Sequence, residues 1–444
     1  MEGLGFARTR EFWVRFGWGV LTGFIAAVGA FIFVALMDFG IDLIWPEPPT
    51  DGTSLSGSFQ IVVIMTVGGF IVGMIHSLTN AEEQNPFLAM VSGRLEPKTL
   101  PASLLVSLVT LVSGFSLGPE IPAGMIAGGL STWISERRKL AEDISKTNII
   151  SSIMAAYSGV FTSPLAILVM PLELPHKQSL AFLGTLIIAG AAAVIGFIVF
   201  FIGGGFEFSG MLQLLDLPDY EMEIWHLPVG LVLGVVGALL TLIYGLIGKG
   251  MRLLVAPINH LPILRGTLAG LLLGLLGMAL PLTLFLGSGG LVAVTNNAAE
   301  LGVALLIVYV FAKMVATAGA QATGFIGGPI FPMFFIGGTA GTVVHLLFPQ
   351  IPIALSVGSM MAAVPAALLP IPFSLSLLTI LIAGLDIFDA IPVMIAALTG
   401  FLVVQGLGLL RRNEKPQKNS AGAQNEHAPA EESGSADDNN DSVS

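Results

Sequence analysis

A five-residue pattern, Gly118-Pro119-Glu120-Ile121-Pro122, stands inside apolar sequence and returns 210 residues later as Gly328-Pro329-Ile330-Phe331-Pro332. Laid over each other at that offset, the fifteen-residue windows that begin at Gly118 and Gly328 share Gly, Pro, Pro, Ile, Gly and Thr. Proline fixes its own φ and has no N–H to give, so a helix tolerates it only in the first turn. Glycine lets another group come close to the backbone. The pattern therefore predicts a helix start at each copy, one structural device used twice. Only the first copy carries an acid, Glu120.

The surroundings of the motif decide the class of fold. Of the 444 residues, 54% are hydrophobic and 11% charged, with mean hydropathy +0.88; a soluble domain is about 25% charged. There is too little polar surface here to cover a water-soluble globule. The apolar runs are continuous and rich in Leu, Ile, Gly and Ala, without the alternation of a membrane β-barrel. The chain reads as an all-α polytopic membrane protein. It has no cysteine, which rules out disulfides, thiol catalysis and Cys-ligated metals. Net charge is -11, of which the seven acids and four bases from Arg411 onward contribute -3. No basic face for nucleic acid exists.

Run lengths carry the organisation. Residues 13–37 and Gln60–Leu78 are long spans. Leu100–Leu117, Pro122–Ile134, Ile149–Thr162 and Pro164–Leu172 fall short of the roughly 20 residues that cross a bilayer upright. A helix that stops partway must end inside protein or beside water, because lipid cannot satisfy its free backbone groups. After a long run at 178–203 the layout repeats: Pro228–Ile247 and Leu264–Leu282 are long, and Val303–Thr317, Pro332–Leu347, Ile353–Leu369 and Pro372–Ala383 are short or interrupted. Ala390–Leu410 closes the series. These features predict one transmembrane domain, 13–410, made of two inverted halves at about 13–210 and 224–410, with the binding site at the broken segments. Residues 1–12 read as a cytoplasmic N-terminus, and 411–444, polar and aperiodic, as a disordered cytoplasmic tail. Basic clusters at Arg8/Arg10, Arg137–Lys139 and Arg411/Arg412 put both termini inside by the positive-inside rule.

A helix N-terminus presents free N–H groups and about half a positive charge, and so attracts anions. Two such starts facing each other mid-membrane would bind an anion without a lysine. Glu120 would place its carboxylate where that anion sits and act as a protonatable plug. The plainer reading is an acid in a favourable first turn. Against it stands the cost of a charge at mid-membrane, roughly 2.5–3.5 kcal/mol.

On these residues the chain resembles the CLC family of chloride channels and chloride/proton exchangers. Gly118–Pro122 is similar to that family's G-(R/K)-E-G-P motif, which carries a gating glutamate, and Gly327–Pro332 to its G-x-F-x-P helix start. Leu286–Gly290 resembles its glycine-rich segment, and Ser163–Glu173 its helix that begins (A/S)-P-L and ends in glutamate. The resemblance runs from about residue 13 to 410 and implies a homodimer, each subunit with its own pore where broken helices meet mid-membrane. It implies Glu120 as gate and anion contacts at Gly118, Ile121, Gly328, Ile330 and Phe331. Ungapped spacing from Glu120 puts the family's first anion loop, G-S-G-I-P, at 78–82, with Thr79 in place of its serine. Lys313 matches a basic position of the family, and reads either as a pore charge or as a partner of a buried acid or carbonyl. Glu173 and His76 are candidates for a proton relay; for His76 the plainer reading is a loop or interface residue.

The departures from the pattern shape the functional expectation. Pro119 and Pro329 offer no amide. No tyrosine follows Tyr309, where the family has a pore tyrosine past its last long helix. Leu174 stands where the exchangers of the family have an internal proton glutamate. The resemblance therefore implies movement of a small anion, chloride first, by a channel-like route gated by Glu120. A chloride/proton antiporter and a non-transporting scaffold on a CLC frame remain as alternatives. The six histidines show no metal-ligand spacing, no cofactor is called for, and no Walker lysine, HExxH or GxSxG points to an enzyme. The expected partners are a small anion, the lipid bilayer of the cell membrane and a second copy of the chain.

Overall fold

Unpaired backbone is not tolerated in lipid, and uninterrupted apolar sequence satisfies itself as helix. The computed structural model describes residues 8–45, 58–176, 179–205, 215–386 and 388–409, and among these it contains sixteen α-helices and no strand. The disordered tail expected at 411–444, and the first seven residues of the expected N-terminal segment, lie outside the described residues. The first half comprises α1 (Arg10–Ile44), α2 (Phe59–Leu78), α3 (Pro86–Ser92), α4 (Leu100–Val112), α5 (Glu120–Arg137), α6 (Glu142–Val160), α7 (Pro164–Glu173) and α8 (Leu180–Gly203). The second comprises α9 (His226–Val255), α10 (Pro262–Ala279), α11 (Ser288–Asn296), α12 (Ala298–Ala322), α13 (Ile330–Leu347), α14 (Ile353–Leu368), α15 (Pro372–Ala383) and α16 (Ala390–Phe401). Thr9 caps α1 by accepting from the Phe12 N–H, so the first helix begins three residues before the span expected at 13.

Packing repeats between the halves. α1 lies on α6 and α8 as α9 lies on α14 and α16, and α5 lies on α6 as α13 lies on α14. Across the halves, α2 and α10 run antiparallel: Gly73 faces Pro262 and Ile263, Gly69 faces Gly266, and Met65 faces Gly270. A Cβ on Gly69 would stand 2.2 Å from the Gly266 carbonyl oxygen, and one on Gly266 2.3 Å from that of Gly69. Small residues let the two backbones touch, which is how membrane helices pack when lipid is as apolar as their own side chains.

Among the described residues, seven helices are long and apolar enough to span a bilayer. They differ in what surrounds them. Ala181–Gly203 is 28% buried over its most apolar window, and Ile330–Leu347 is 78% buried. The first faces outward; the second, which starts at the repeated motif, is enclosed by protein. That enclosure is what a helix beginning partway through the membrane needs.

Candidate functional site

The two proline-flanked starts meet. The Gly118 N–H donates to the Gly328 carbonyl and the Gly328 N–H to the Gly118 carbonyl, both at 2.8 Å, in one antiparallel bridge. α5 and α13 lead away from it. Pro119 and Pro329 are the N-caps and Pro122 and Pro332 sit in the first turns, where no backbone N–H is required of them. The first amide that α13 can offer is therefore that of Ile330.

Glu120 takes that amide. Its side chain crosses from the first half to the second, and Oε1 accepts from the Ile330 N–H at 2.7 Å. The Phe331 N–H also faces the carboxylate, as does the N–H of Glu120 itself. Glu120 is fully buried, and its Oε2 has no hydrogen-bond partner among the described residues. A side chain at either bridge glycine would collide with this carboxylate. A Cβ on Gly328 would lie 2.0 Å from Oε1, and one on Gly118 2.1 Å from Oε2. The positive end of α13 thus holds an anionic group that belongs to the chain.

Ile121, Ile330 and Phe331 are buried around the bridge. The Phe331 ring stacks on Phe161, with centroids 5.2 Å apart at 21°. A cavity of about 520 Å³ reaches the start of α5 and the Phe331 ring; Asp38, Pro119, Thr162, Phe200 and Leu286 are among the residues that line it. Gly118, Glu120, Ile121, Gly328, Ile330 and Phe331 are therefore assembled in one place.

The remaining candidates lie elsewhere. Lys313 is fully buried and donates to three carbonyls, those of Thr283 (3.1 Å), Leu284 (3.0 Å) and Phe285 (2.8 Å). Its Nζ also lies 5.1 Å from the Phe335 ring centroid. Phe285 has φ +54°, an uncommon backbone for a bulky residue, and Lys313 secures it. Its three hydrogen bonds all go to backbone carbonyls. Glu173 closes α7 by accepting from Phe373 N–H (2.6 Å), Ser374 N–H (2.9 Å) and the Ser374 hydroxyl (2.5 Å), so it caps α15. His76 ties α2 to the turn before α13 through Nε2 and the Gly324 carbonyl at 2.8 Å.

Thr79 requires a correction. It is exposed, and its hydroxyl donates back to Ile75 at 2.7 Å as part of the end of α2. The loop continues to Asn85, whose Oδ1 caps α3 by accepting from Phe87 and Leu88, with Pro86 as the first helical residue. The segment leading into that helix is 80–85, whereas ungapped counting from Glu120 gave 78–82, at the end of α2. A side chain that the sequence reading passed over also belongs to the neighbourhood: Tyr157 of α6, fully buried, with its hydroxyl beside Gly124 of α5.

Two inverted halves, helices interrupted within the membrane part, and helix starts converging on a carboxylate define an ion-transport membrane protein. The chain belongs to the voltage gated chloride channel family, the CLC family, whose pattern matches residues 68–405. YfeO of Salmonella typhimurium, a protein named for ion transport, is 26% identical over 326 residues, covering 71% of this chain and 76% of its own. The Salmonella paratyphi A protein of the same name is 25% identical over 348 residues, covering 75% and 81%. Among solved structures, a slow cyanobacterial Cl-/H+ antiporter superposes with TM-score 0.72 at 19% identity, covering 89% of this chain and 95% of the other. A CLC-type fluoride/proton antiporter gives 0.68 at 18% identity, covering 90% and 97%. Likeness at such identity is a likeness of fold.

Proposed function

We propose that the chain moves a small anion, chloride first, across the cell membrane through the junction of α5 and α13, with Glu120 as its gate. The observation that carries this reading is the carboxylate of Glu120 at the first free amide of α13. A helix start enclosed by protein attracts anions, and here a side chain competes for that position. Ionised, it holds the amide and keeps the path closed. Once protonated or swung aside it releases the amide, and an anion can take its place.

A channel-like route fits the remaining groups. Leu174 is buried and apolar, and Glu173 before it is committed to capping α15. Neither of these two side chains is free to receive a proton from the other side. Proton-coupled exchange is the second reading. It is favoured by the fact that the group in the anion position is itself protonatable. On either reading residues 13–410 form the transport domain, 1–12 and 411–444 face the cytoplasm, and two copies pair, each with its own path.

Anion efflux from proteoliposomes, with pH recorded at the same time, tests the proposal. Chloride flux without stoichiometric proton movement is expected. Coupled proton movement would replace the channel reading by the exchanger, and absence of flux for every halide and for nitrate would sink both.

A further inference from the structure

The cavity of about 520 Å³ that reaches Pro119 and the Phe331 ring has walls that an anion does not explain. They are aromatic: Phe31 of α1, Phe197, Phe200 and Phe201 of α8 and Phe331 of α13 all line it. Phe31 stands edge-on to Phe200, with centroids 5.4 Å apart at 84°. Asp38 of α1 is the one charged residue among the described lining residues, which include no Lys, Arg or His. From Arg10 to Asp38 is about 42 Å of helix, more than the roughly 30 Å of hydrocarbon in a bilayer. The cavity therefore opens near the membrane face opposite the start of α1.

The acid stands where local forces oppose it. Asp38 and Asp42 lie in the last two turns of α1, on one face, and its last turn holds no base. The C-terminal end of a helix carries about half a negative charge, which repels both carboxylates. Like charges one turn apart add to that repulsion. Among the described residues neither acid has a salt bridge. A carboxylate at the mouth of an anion path also works against the anion's approach. A cation held here reverses each of these effects. Thr162, also in the lining, has φ +50°, a left-handed backbone uncommon for a β-branched residue. Strain of this kind gathers at ligand sites.

The lining also narrows the class of cation. Apolar cavities of roughly 300–1,000 Å³ with a few polar groups are typical of small-molecule sites. Aromatic faces attract an ammonium that has shed its water, and an ammonium bearing carbon groups sheds it most easily. A small inorganic ion would keep its water and gain nothing from phenylalanine. An acyl chain would gain from the rings and nothing from the acid. We propose that the cavity binds a hydrophobic organic ammonium, its charge beside Asp38 and its carbon groups on the phenylalanines, and that the bound cation covers the entrance to the anion path. The site stands on the cavity itself; only the covering of the entrance rests on the proposed anion path.

The test uses full-length protein purified in an uncharged detergent, with benzyltrimethylammonium as the probe and titration calorimetry as the readout. Asp38→Asn should weaken the probe about tenfold, with the melting temperature near that of wild type. Phe200→Leu should weaken it about threefold. Neopentylbenzene, the uncharged isostere, should compete poorly. Absence of binding overturns the site, as does equal affinity in Asp38→Asn. Full displacement by the isostere overturns it too, and marks the cavity as a place for an acyl chain. In proteoliposomes the probe added outside should slow chloride efflux by wild type and not by Asp38→Asn. Binding that leaves an existing flux unchanged overturns the covering of the entrance. Absence of flux for every anion removes the proposed transport, and with it the covering, while calorimetry still decides the site.

Discussion

The helix starts at Gly118 and Gly328 share their glycine and both prolines and differ at the two side chains between the prolines, of which only Glu120 is charged. The first places Glu120 two residues after its bridge glycine, and the second places Ile330 there. Each start offers a positive end, and the acid of the first closes that of the second. A second pair, again 210 residues apart, follows the same logic. Ser103 on α4 donates to the Glu82 carbonyl (2.8 Å) and accepts from the Glu82 N–H (3.0 Å), holding the loop that leads into α3. Lys313 on α12 holds the loop that leads into α11 through three carbonyls. One half is braced by a hydroxyl and the other by a buried cation. An inverted repeat thus supplies matched backbone, and single substitutions in one copy give the halves different jobs.

That contrast can be attacked from its strongest member downward. Lys313→Met strips three buried carbonyls of a charged donor and should cost about 4 kcal/mol, from ~1–3 kcal/mol per abandoned group. Denaturant unfolding in detergent measures it. Gly328→Ala sets a methyl on the Glu120 carboxylate, and overpacking of this kind costs about 2–3 kcal/mol. Adding Glu120→Ala removes the collision, so the double variant should recover most of that loss; no recovery would mean that the glycine serves something other than the carboxylate. Glu120→Gln keeps the shape and drops the charge. Chloride efflux should rise about tenfold, equivalent to ~1.4 kcal/mol of carboxylate–dipole attraction, and should lose its dependence on pH. An unchanged flux would count against the gate. Glu173→Gln weakens only a helix cap, about 1 kcal/mol, and should leave flux per folded molecule as it was. Thr79→Val, on an exposed helix end, should fall within ~0.5 kcal/mol of wild type and leave anion affinity untouched.

The sequence was most legible where chemistry repeats at a fixed distance. The offset between Gly118 and Gly328 announced two helix starts, and the apolar runs placed α2 and α15 almost to the residue. Boundaries drifted where polar residues belong to helices: α6 begins at Glu142, seven residues before its apolar run, because its early turns are polar. α11 was hidden because Ser288-Gly-Gly reads as loop, although tertiary packing makes it helical. Thr79 was misplaced because counting back from Glu120 fixes no loop length. The local signal was Asn85-Pro86, a capping residue followed by a proline that suits a first turn. Glu173 and Lys313 stood out as isolated charges, but their partners are carbonyls and amides, which sequence does not mark. Tyr157 left no trace at all, since a lone tyrosine in an apolar helix looks like core.

The reciprocal bridge between Gly118 and Gly328 also bears on how the molecule is made. Two residues 210 apart must find each other before either Glu120 has an amide to hold or α13 has its cap. Closing a chain segment of that length costs on the order of 5 kcal/mol of entropy, offset only when both halves are in the membrane and α2 has met α10. A ribosome-bound intermediate that ends before Ile330 carries Glu120 with no place to put it. The contact between Glu120 and the Ile330 amide is therefore among the last features to form during biogenesis.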